Sequence, residues 1–364
     1  MEPALHEAEL IRVRLRFVEP FRTAHTTTAT KDALLVRVQT DAGAGWGECT
    51  APASPEYDGE TVDGARAALR DHLLPRAFAG VGFAAVPGNR AANAALECAL
   101  LDARLRADAI PLRLWLGSRE TVDAGVAVGI TDDLDQLRST VRSYATAGYR
   151  RIKCKIEPGR DVDVLRAVRA ELGADVELAA DANGSYDYKG ARRLFDAIDG
   201  LGLQCVEQPC AADAVDEHAA LVSEVRTPIC LDEPVTSPAA ARQIIARHAC
   251  DALAVKVGRL GISGARQVHD ECVTASIAAL AGGMLETGIG RAALLAVAAL
   301  PGFTRTGDCA GSDRFFGSDG DLTEPFTVVD GKLAVPTGPG LGVEPIPERL
   351  ARATIARERI TPRD

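Results

Sequence analysis

Apolar and polar positions follow two different patterns along the chain. Residues 9–49 alternate between apolar and polar side chains in two stretches, which predicts antiparallel strands. Residues 60–117 carry apolar side chains at helical spacing. From about residue 122, short apolar runs alternate with amphipathic segments of helical spacing. Strands followed by helices predict an α+β module, and the strand–helix alternation after it predicts a parallel α/β sheet.

The second pattern contains eight strand-like runs in about 190 residues, the number expected for a (β/α)8-type barrel. These runs are AGVAVGI, RIKCKI, VELAADA, LQCVEQP, PICLDEP, ALAVKVG, IAALAGGML and FTRTGD. The stretch after them is rich in Gly and Pro and does not continue the alternation. We therefore expect an α+β module in residues 1–120, a barrel in residues 121–320, and a segment in residues 321–364 that packs back on the first module.

Composition and charge exclude several classes of function. The chain has 364 residues and a formal net charge of −10, with no basic run, which argues against a nucleic-acid partner. The N-terminus lacks the cations and the apolar core of a signal peptide. The most apolar region, residues 273–300, is interrupted by Glu286 and Arg291, so no membrane span is expected. The nine cysteines form no Cys-x-x-Cys pair, and several lie in apolar runs, which favours a reducing cytoplasm.

Five of the predicted strands end in a charged residue, at intervals of about 25 residues, the length of one βα unit. These residues are Lys155, Asp181, Glu207, Asp232 and Lys256. The carboxyl ends of parallel strands in a barrel meet at one mouth, so these side chains are expected to converge there. In four of the five strands, the residue two positions earlier is small and apolar, as a packed barrel interior requires.

Three converging carboxylates repel one another unless a cation joins them. Each acid alone fits an ordinary ion pair at the barrel mouth, but three successive acids flanked by lysines favour a metal site. Oxygen ligands are typical of Mg²⁺ or Mn²⁺. A lysine beside such a metal can remove the proton α to a substrate carboxylate and leave a stabilised enediolate. None of the six histidines ends a predicted strand, which argues against a histidine base or a zinc site.

These residues, in this order, resemble the enolase superfamily in its muconate-lactonising subgroup, and within it the o-succinylbenzoate synthase / N-acylamino acid racemase family. The resemblance runs from about residue 10 to about residue 350. The motifs that carry it are RIKCKIEPGRD, KVGRLG, GGMLETGIGRAA, GDCAGSDRFF, DLTEPF and TGPGLGV. It implies a modified TIM barrel of (β/α)7β form, with an α+β capping domain built from the N-terminal region and the C-terminal segment.

The resemblance also implies residue roles. Asp181, Glu207 and Asp232 would bind Mg²⁺, with Mn²⁺ as an alternative, while Lys155 would be the general base and Lys256 would face it across the substrate. The auxiliary and substrate-binding residues that it implies are Lys153, Asn183, Arg259, Phe21 and Tyr57. The chain departs from the family pattern in its LDEP motif, in the Ile of KVGRLGIS and in Cys154 between two lysines. None of these departures changes a metal ligand.

The stretch Gly288-Ile-Gly-Arg-Ala-Ala293, followed by Asp308, also fits a dinucleotide-binding fingerprint. A nicotinamide-dependent dehydrogenase is disfavoured, because too little chain follows Asp308 for the rest of a doubly wound half. The same turn can instead present free N–H groups at Gly288 and Ile289 to a substrate anion such as a succinyl carboxylate. Alternatively, its glycines only permit close packing of strand and helix.

The resemblance implies a lyase with a small carboxylate as substrate. It would dehydrate 2-succinyl-6-hydroxy-2,4-cyclohexadiene-1-carboxylate to o-succinylbenzoate, a step of menaquinone biosynthesis. The alternative is an isomerase that racemises N-succinylamino or N-acylamino acids with the same two lysines. A dipeptide epimerase fits less well, because relatives with that activity tend to have Asp-x-Asp where this chain has Asp308-Cys309-Ala310. A binding barrel without chemistry remains a further alternative, and we expect a cytoplasmic homo-oligomer.

Overall fold

The alternating stretches near the N-terminus form one antiparallel sheet. In the computed structural model, which describes residues 4–55, 59–80, 86–317 and 320–362, this sheet has the order β13-β1-β2-β3. Its strands are β1 (Leu5–Arg22), β2 (Thr27–Thr40), β3 (Gly43–Cys49) and β13 (Thr354–Ile360). β13 pairs with β1 antiparallel, with Ala8 opposite Ile360, so the C-terminal segment completes the N-terminal sheet.

Helices cover one face of this sheet and bury its apolar side chains. They are α1 (Val62–Ala68), a π-helical turn (Leu69–Leu73), α2 (Leu74–Phe78), α3 (Arg90–Ala107) and the short α4 (Leu112–Leu116). The Thr61 side chain caps α1 by accepting a hydrogen bond from the N–H of Gly64. Leu34, Val36 and Val38 of β2 pack in one buried cluster with Leu96 and Ala99 of α3. The capping module therefore has its own apolar core.

The second half of the chain forms a parallel sheet of seven strands, in the order β11-β10-β9-β8-β7-β6-β5. The strands are β5 (Gly125–Val128), β6 (Arg151–Lys155), β7 (Glu177–Asp181), β8 (Val206–Glu207), β9 (Ile229–Leu231), β10 (Ala252–Val255) and β11 (Ala278–Ala281). Most side chains in the cluster inside the curved sheet are small, as the sequence predicts. The residues of this inner cluster are Ala179, Cys205, Cys230, Ala252, Ala254 and Leu280.

Helices on the outer face connect these strands. They are α5 (Leu134–Thr146), α6 (Val162–Leu172), α7 (Tyr188–Ile198), α8 (Val215–Glu224), α9 (Pro238–Ala246), α10 (Val257–Ala275) and α11 (Gly288–Ala298), with a 3₁₀ turn at Asp199–Leu201. Four of them begin at a side-chain cap supplied by Asp133, Asp161, Asp187 or Ser237. The remaining elements are β4 (Thr121–Asp123) paired with β12 (Lys332–Ala334), α12 (Asp313–Phe316) and α13 (Pro347–Ala353).

The eighth predicted strand, FTRTGD, joins the two edge strands without forming a regular strand. Phe303 makes an isolated parallel bridge to Ala279. The Asp308 N–H donates to Ala281 O at 2.7 Å, and the Gly125 N–H donates to Cys309 O at 3.0 Å. A β-carbon at Gly307 would lie 2.4 Å from Ala281 O, so this close approach requires glycine. The predicted α/β fold with a modified barrel and a capping domain is confirmed.

Among the residues that the structure describes, no helix is long and apolar enough to cross a membrane.

Candidate active site

A cavity of about 280 Å³ lies between the capping sheet and the carboxyl ends of the barrel strands. The capping module contributes Phe21 and Lys31 to its wall, and the barrel contributes Lys155, Asn183 and Lys256. Its size and its mixture of apolar and convergent polar groups are those of a small-molecule site. Of the five charged strand ends predicted from the sequence, Lys155 and Lys256 line this space, and Asp181, Glu207 and Asp232 are not part of its wall.

The Lys155 side chain ends β6 and reaches this cavity. Its Nζ lies 2.6 Å from Asp181 Oδ2 and 2.9 Å from Asn183 Oδ1. The Asn183 backbone has φ of 44°, a left-handed conformation that asparagine tolerates, and its N–H donates to Asp181 Oδ1. This turn holds two oxygen acceptors on the same ammonium group, so the direction of the Lys155 side chain is fixed.

Lys153 and Asp308 form the centre of the buried charge network. Lys153 Nζ lies 2.9 and 3.0 Å from the two carboxylate oxygens of Glu207 and 2.6 Å from Asp308 Oδ2. Arg151 Nη1 lies 2.6 Å from Asp308 Oδ1. Burial alone would raise the pKa of Asp308, but Lys153 and Arg151 together hold it below its usual range. The sequence-based prediction did not include Asp308 in the site, although Asp308 ends FTRTGD, the eighth predicted strand.

Lys256 occupies the opposite side of the barrel mouth. Its Nζ lies 2.5 Å from Asp232 Oδ2, and Arg259 Nη1 lies 2.9 Å from Asp232 Oδ1. Burial raises the pKa of Asp232, and Lys256 and Arg259 outweigh that effect and lower it to about 2. A β-carbon at Gly282 would lie 2.8 Å from Lys256 Cγ, so glycine at this position lets the lysine stem pass into the cavity. Arg259 lies behind Asp232 and is not part of the cavity wall.

The three predicted metal ligands lie on neighbouring strands and are all buried. β7 pairs with β8 so that Asp181 lies beside Glu207, and Asp232 follows β9 directly. Burial raises the pKa of Glu207, and the carboxylates of Asp181, Asp308 and Asp232 contribute to the rise. As the side chains stand, lysine and arginine groups neutralise these acids. Within the described ranges, no three His, Cys, Asp or Glu side chains form a group that could hold a metal ion.

The donor set nevertheless fits a hard divalent cation by its chemistry. All three side chains offer carboxylate oxygens, which Mg²⁺ and Mn²⁺ prefer. Next to Asp232, the buried Oε2 of Glu233 has no hydrogen-bond partner among the described residues, while Oε1 accepts from Asn183 Nδ2 at 3.1 Å. An unsatisfied buried carboxylate oxygen is unfavourable, and a nearby cation or a water on it would satisfy it.

The capping module contacts the barrel directly at this mouth. His25 Nε2 lies 2.7 Å from Asn183 O, and Arg22 Nη2 lies 2.9 Å from Glu157 Oε1. The Phe21 ring lies in the cavity wall, with its centroid 6.1 Å from that of Phe315. Predicted residue Tyr57 lies outside the described residues. The His25 contact was not predicted, since a single histidine in a Thr-rich loop gives no indication of its partner.

The structure differs from the expectation that Gly288 and Ile289 present free N–H groups to an anion. The Gly288 N–H donates to Asp321 Oδ1 at 2.7 Å, and the N–H groups of Thr287 and Gly290 donate to Glu48. Ile289 is fully buried and does not line the cavity. A β-carbon at Gly288 would lie 1.8 Å from Thr323 Oγ1, which supports the packing alternative. Glu48 comes from a distant strand, so no local pattern indicates this cap.

We expect Arg151→Met to destabilise the fold by about 3 kcal/mol, because removing one partner of a buried ion pair leaves the other poorly compensated. Arg151 is 0% exposed, and the change would leave Asp308 with Lys153 alone. Urea denaturation would measure the loss. Arg150→Met is the matched control, since the Arg150 side chain is exposed and donates a long hydrogen bond of 3.4 Å to Asp330 O. Equal stabilities of the two variants would contradict the prediction.

Comparison with known proteins places the chain in a family. Residues 6–117 match the mandelate racemase / muconate lactonizing enzyme N-terminal domain, and residues 136–349 match the enolase C-terminal domain-like family. The chain belongs to the enolase superfamily. The resemblance predicted from the motifs is therefore confirmed. Members of this superfamily typically use a divalent metal and act on small carboxylates.

Similar proteins in the superfamily are named for two reactions. An N-succinylamino acid racemase from Amycolatopsis is 46% identical and covers 97% of this chain and 98% of its own. An o-succinylbenzoate synthase from Geobacillus kaustophilus is 38% identical, over 95% of this chain and 94% of its own. An enolase superfamily member from Listeria innocua with a crystal structure is 31% identical in sequence to this chain. The two structures superpose with a TM-score of 0.92 over 99% of both chains. The chain is thus similar both to a lyase and to a racemase.

Proposed function

We propose that this enzyme removes the proton α to a carboxylate and that its reaction is the synthesis of o-succinylbenzoate. The observation that carries the proposal is the pair Lys155 and Lys256, which line one cavity. Lys155 ends β6, the second strand of the barrel sheet, and Lys256 follows β10, the sixth. The seven strands and the segment that carries Asp308 close the barrel, so these two strands lie on opposite sides of it. Two lysines so placed approach a substrate between them from opposite sides.

The chain's own residues perform the proton transfer. Lys155, directed by Asp181 and Asn183, takes the α-proton of the cyclohexadiene carboxylate and delivers it to the departing ring hydroxyl. The C–H and C–O bonds break, water leaves, and the new double bond makes the ring aromatic. Lys256 contributes positive charge next to the carboxylate as negative charge develops there. Phe21 closes the cavity above the substrate and limits the access of water.

We propose that Asp181, Glu207 and Asp232 hold the Mg²⁺ ion, or Mn²⁺ in its place. When bound, the metal would supply Lewis-acid stabilisation of the substrate carboxylate. Lys153 would keep Glu207 and Asp308 oriented beside it, because it donates to both carboxylates. Because Lys153, Lys155 and Lys256 all contact the ligand carboxylates, Mg²⁺ binding would require each of them to give up part of that contact.

Racemisation of N-succinylamino acids is the second candidate. It is favoured by Lys256, which can return a proton on the face opposite to Lys155, and by the racemase that is 46% identical. Arg259, bonded to Asp232 behind Lys256, is compatible with this activity by resemblance. Dipeptide epimerisation has less support, because Asp308 is already engaged by Arg151 and Lys153.

Parallel assays of the two reactions on purified protein with Mg²⁺ test the proposal. Consumption of the cyclohexadiene substrate would be followed by absorbance, and racemisation of several N-succinyl-L-amino acids by optical rotation. A kcat/KM for the dehydration at least about 10-fold above the best racemisation value supports the synthase. The reverse order supports the racemase instead, and activity in neither assay contradicts the proposed function.

A further inference from the structure

Lys31 on β2 is a buried lysine that lines the cavity from the capping module. It is not one of the charged residues at the ends of the barrel strands. Lys31 is 6% exposed and is part of the cavity wall. Its Nζ donates to Thr50 O at 3.2 Å and to Met284 O at 3.0 Å. An ammonium group has three donors, so one N–H of Lys31 remains for a ligand in the cavity.

Lys31 differs from the other cavity lysines in its partners. Lys153, Lys155 and Lys256 each form an ion pair with a carboxylate, whereas Lys31 forms none with the carboxylates of the described residues. Burial raises the pKa of Glu48, and the charge of Lys31 partly opposes that rise. The Glu48 carboxylate is bonded to the N–H groups of Thr287 and Gly290.

The carboxylates near Lys31 and Arg291 are engaged by backbone N–H groups. Arg291 also lines the wall, and its guanidinium donates to the carbonyl groups of Ala310, Gly311 and Glu286. The Glu286 carboxylate accepts from the Met284 N–H at 2.8 Å, and the Glu48 carboxylate accepts from the N–H groups of Thr287 and Gly290. Among the described residues neither carboxylate forms an ion pair with Lys31, so its ammonium group can bind one negative group in the largely enclosed cavity.

The position of Lys31 relative to the catalytic lysines follows from the loop after β11. Gly282 packs against the stem of Lys256, and Met284, two residues later, accepts the hydrogen bond from Lys31. A substrate whose reacting carboxylate lies between Lys155 and Lys256 shares one cavity with Lys31, so its other end can reach the Lys31 side of that cavity. The N-terminus of α11 does not line the cavity, and Asp321 and Glu48 accept from the N–H groups of Thr287, Gly288 and Gly290.

We propose that Lys31 binds a second carboxylate, at the far end of the substrate, and so selects dicarboxylates whose acyl chain ends in an anion. This proposal rests on the proposed function, because it takes the reacting carboxylate to lie between the two lysines. It assigns specificity for the anionic acyl tail to the capping sheet. Lys31 is a specificity residue here and takes no part in the proton transfer.

Calorimetric titration of the Mg²⁺-loaded protein with matched ligands tests the proposal. The first pair is o-succinylbenzoate and 2-butyrylbenzoate, which carries a methyl group in place of the distal carboxylate. The second pair is N-succinyl- and N-butyryl-L-phenylalanine. We expect wild type to bind the succinyl member of the pair that fits its site about 30-fold more tightly, as a charge-assisted hydrogen bond in an enclosed site allows.

Three variants distinguish two roles of Lys31, namely binding the distal carboxylate and holding Thr50 and Met284 together. Lys31→Met should reduce the preference to below about threefold by weakening only the succinyl ligand, and Lys31→Arg should retain most of it. Lys189→Met, on the exposed surface of α7, is the control and should behave as wild type. Circular dichroism checks that each variant is folded.

The possible results distinguish failure of the Lys31 proposal from failure of the proposed function on which it rests. Equal affinity of wild type for both members of a pair that it binds overturns the Lys31 subsite and leaves the proposed function standing, with no variant needed. Equal weakening of both ligands in Lys31→Met also overturns it, since Lys31 would then only tie Thr50 to Met284. Binding of none of the four ligands by wild type overturns the proposed function, and the subsite with it.

Discussion

Lys155→Ala is expected to lower kcat by about 10³-fold, within the range that a positioned general base contributes. Lys155 is the cavity lysine that Asp181 and Asn183 orient together. The fold should survive, since Asp181 keeps an ion pair with Lys153 at 3.1 Å. Steady-state kinetics and a thermal melt on the same preparation would measure the two quantities.

Lys189→Ala provides the comparison, because Lys189 is exposed on the outer helix α7 and lies outside the cavity. It should match wild type in both kcat and thermal midpoint. A Lys155→Ala variant that retains more than about one tenth of wild-type kcat would contradict the assignment of the base.

Glu207→Gln is expected to abolish the response to Mg²⁺ and to lower kcat/KM by about 10³-fold, the loss of roughly 4 kcal/mol of electrostatic stabilisation. The change keeps the side-chain size and removes one of three anionic ligands. Wild type should melt at a higher temperature as Mg²⁺ increases, because a ligand that binds only the native state stabilises it by about 2.7 kcal/mol at 100 times its Kd. The variant should show little or no rise over the same concentrations.

Glu224→Gln is the matched control for this experiment. Glu224 lies at the end of α8 and bonds to Tyr188 and Arg192 on the surface, far from the cavity wall. It should keep the full response to Mg²⁺. If Glu207→Gln is stabilised by Mg²⁺ as strongly as wild type, the three-carboxylate metal site is wrong.

The sequence predicted the mouth of the barrel well because its chemistry follows the period of the fold. Each βα unit returns the chain to the same end of the sheet, so a charged residue at the end of one strand lies next to that of the next strand. The register confirms this geometry for Lys155, Asp181 and Glu207, which are opposite one another across β6, β7 and β8. Their roles in catalysis stay predictions until the variants are measured.

The parts that the sequence could not predict depend on contacts between distant segments. Glu48 of the capping sheet caps α11, and the two meet 239 positions apart in the chain. His25 contacts Asn183 across 158 positions, and Lys31 bonds to Met284 across 253. Nothing in the local pattern of β2 marks Lys31 as a buried residue with an ammonium group in the cavity, since an alternating strand normally places lysine in solvent.

Asp308 was missed for a different reason. The segment that carries it lies between the edge strands β5 and β11, where Gly307 permits a backbone approach too close for a regular strand. The predicted strand FTRTGD therefore has the right place in the barrel and the wrong local structure. Asp308 ends this predicted strand, but the sequence interpretation used it only in a dinucleotide fingerprint and in comparison with an Asp-x-Asp motif. Its carboxylate completes the network around Lys153.

The most direct test of the account is exchange of the substrate α-proton with solvent. Wild type with Mg²⁺ in D₂O, incubated with N-succinyl-L-amino acids and with the cyclohexadiene substrate, would be followed by proton NMR at the α-carbon, with Lys155→Ala in parallel. We predict that wild type loses the α-proton signal of at least one succinyl substrate by exchange or turnover, and that Lys155→Ala does not. Retention of the α-proton by wild type with every succinyl substrate would contradict the central claim that this site abstracts it.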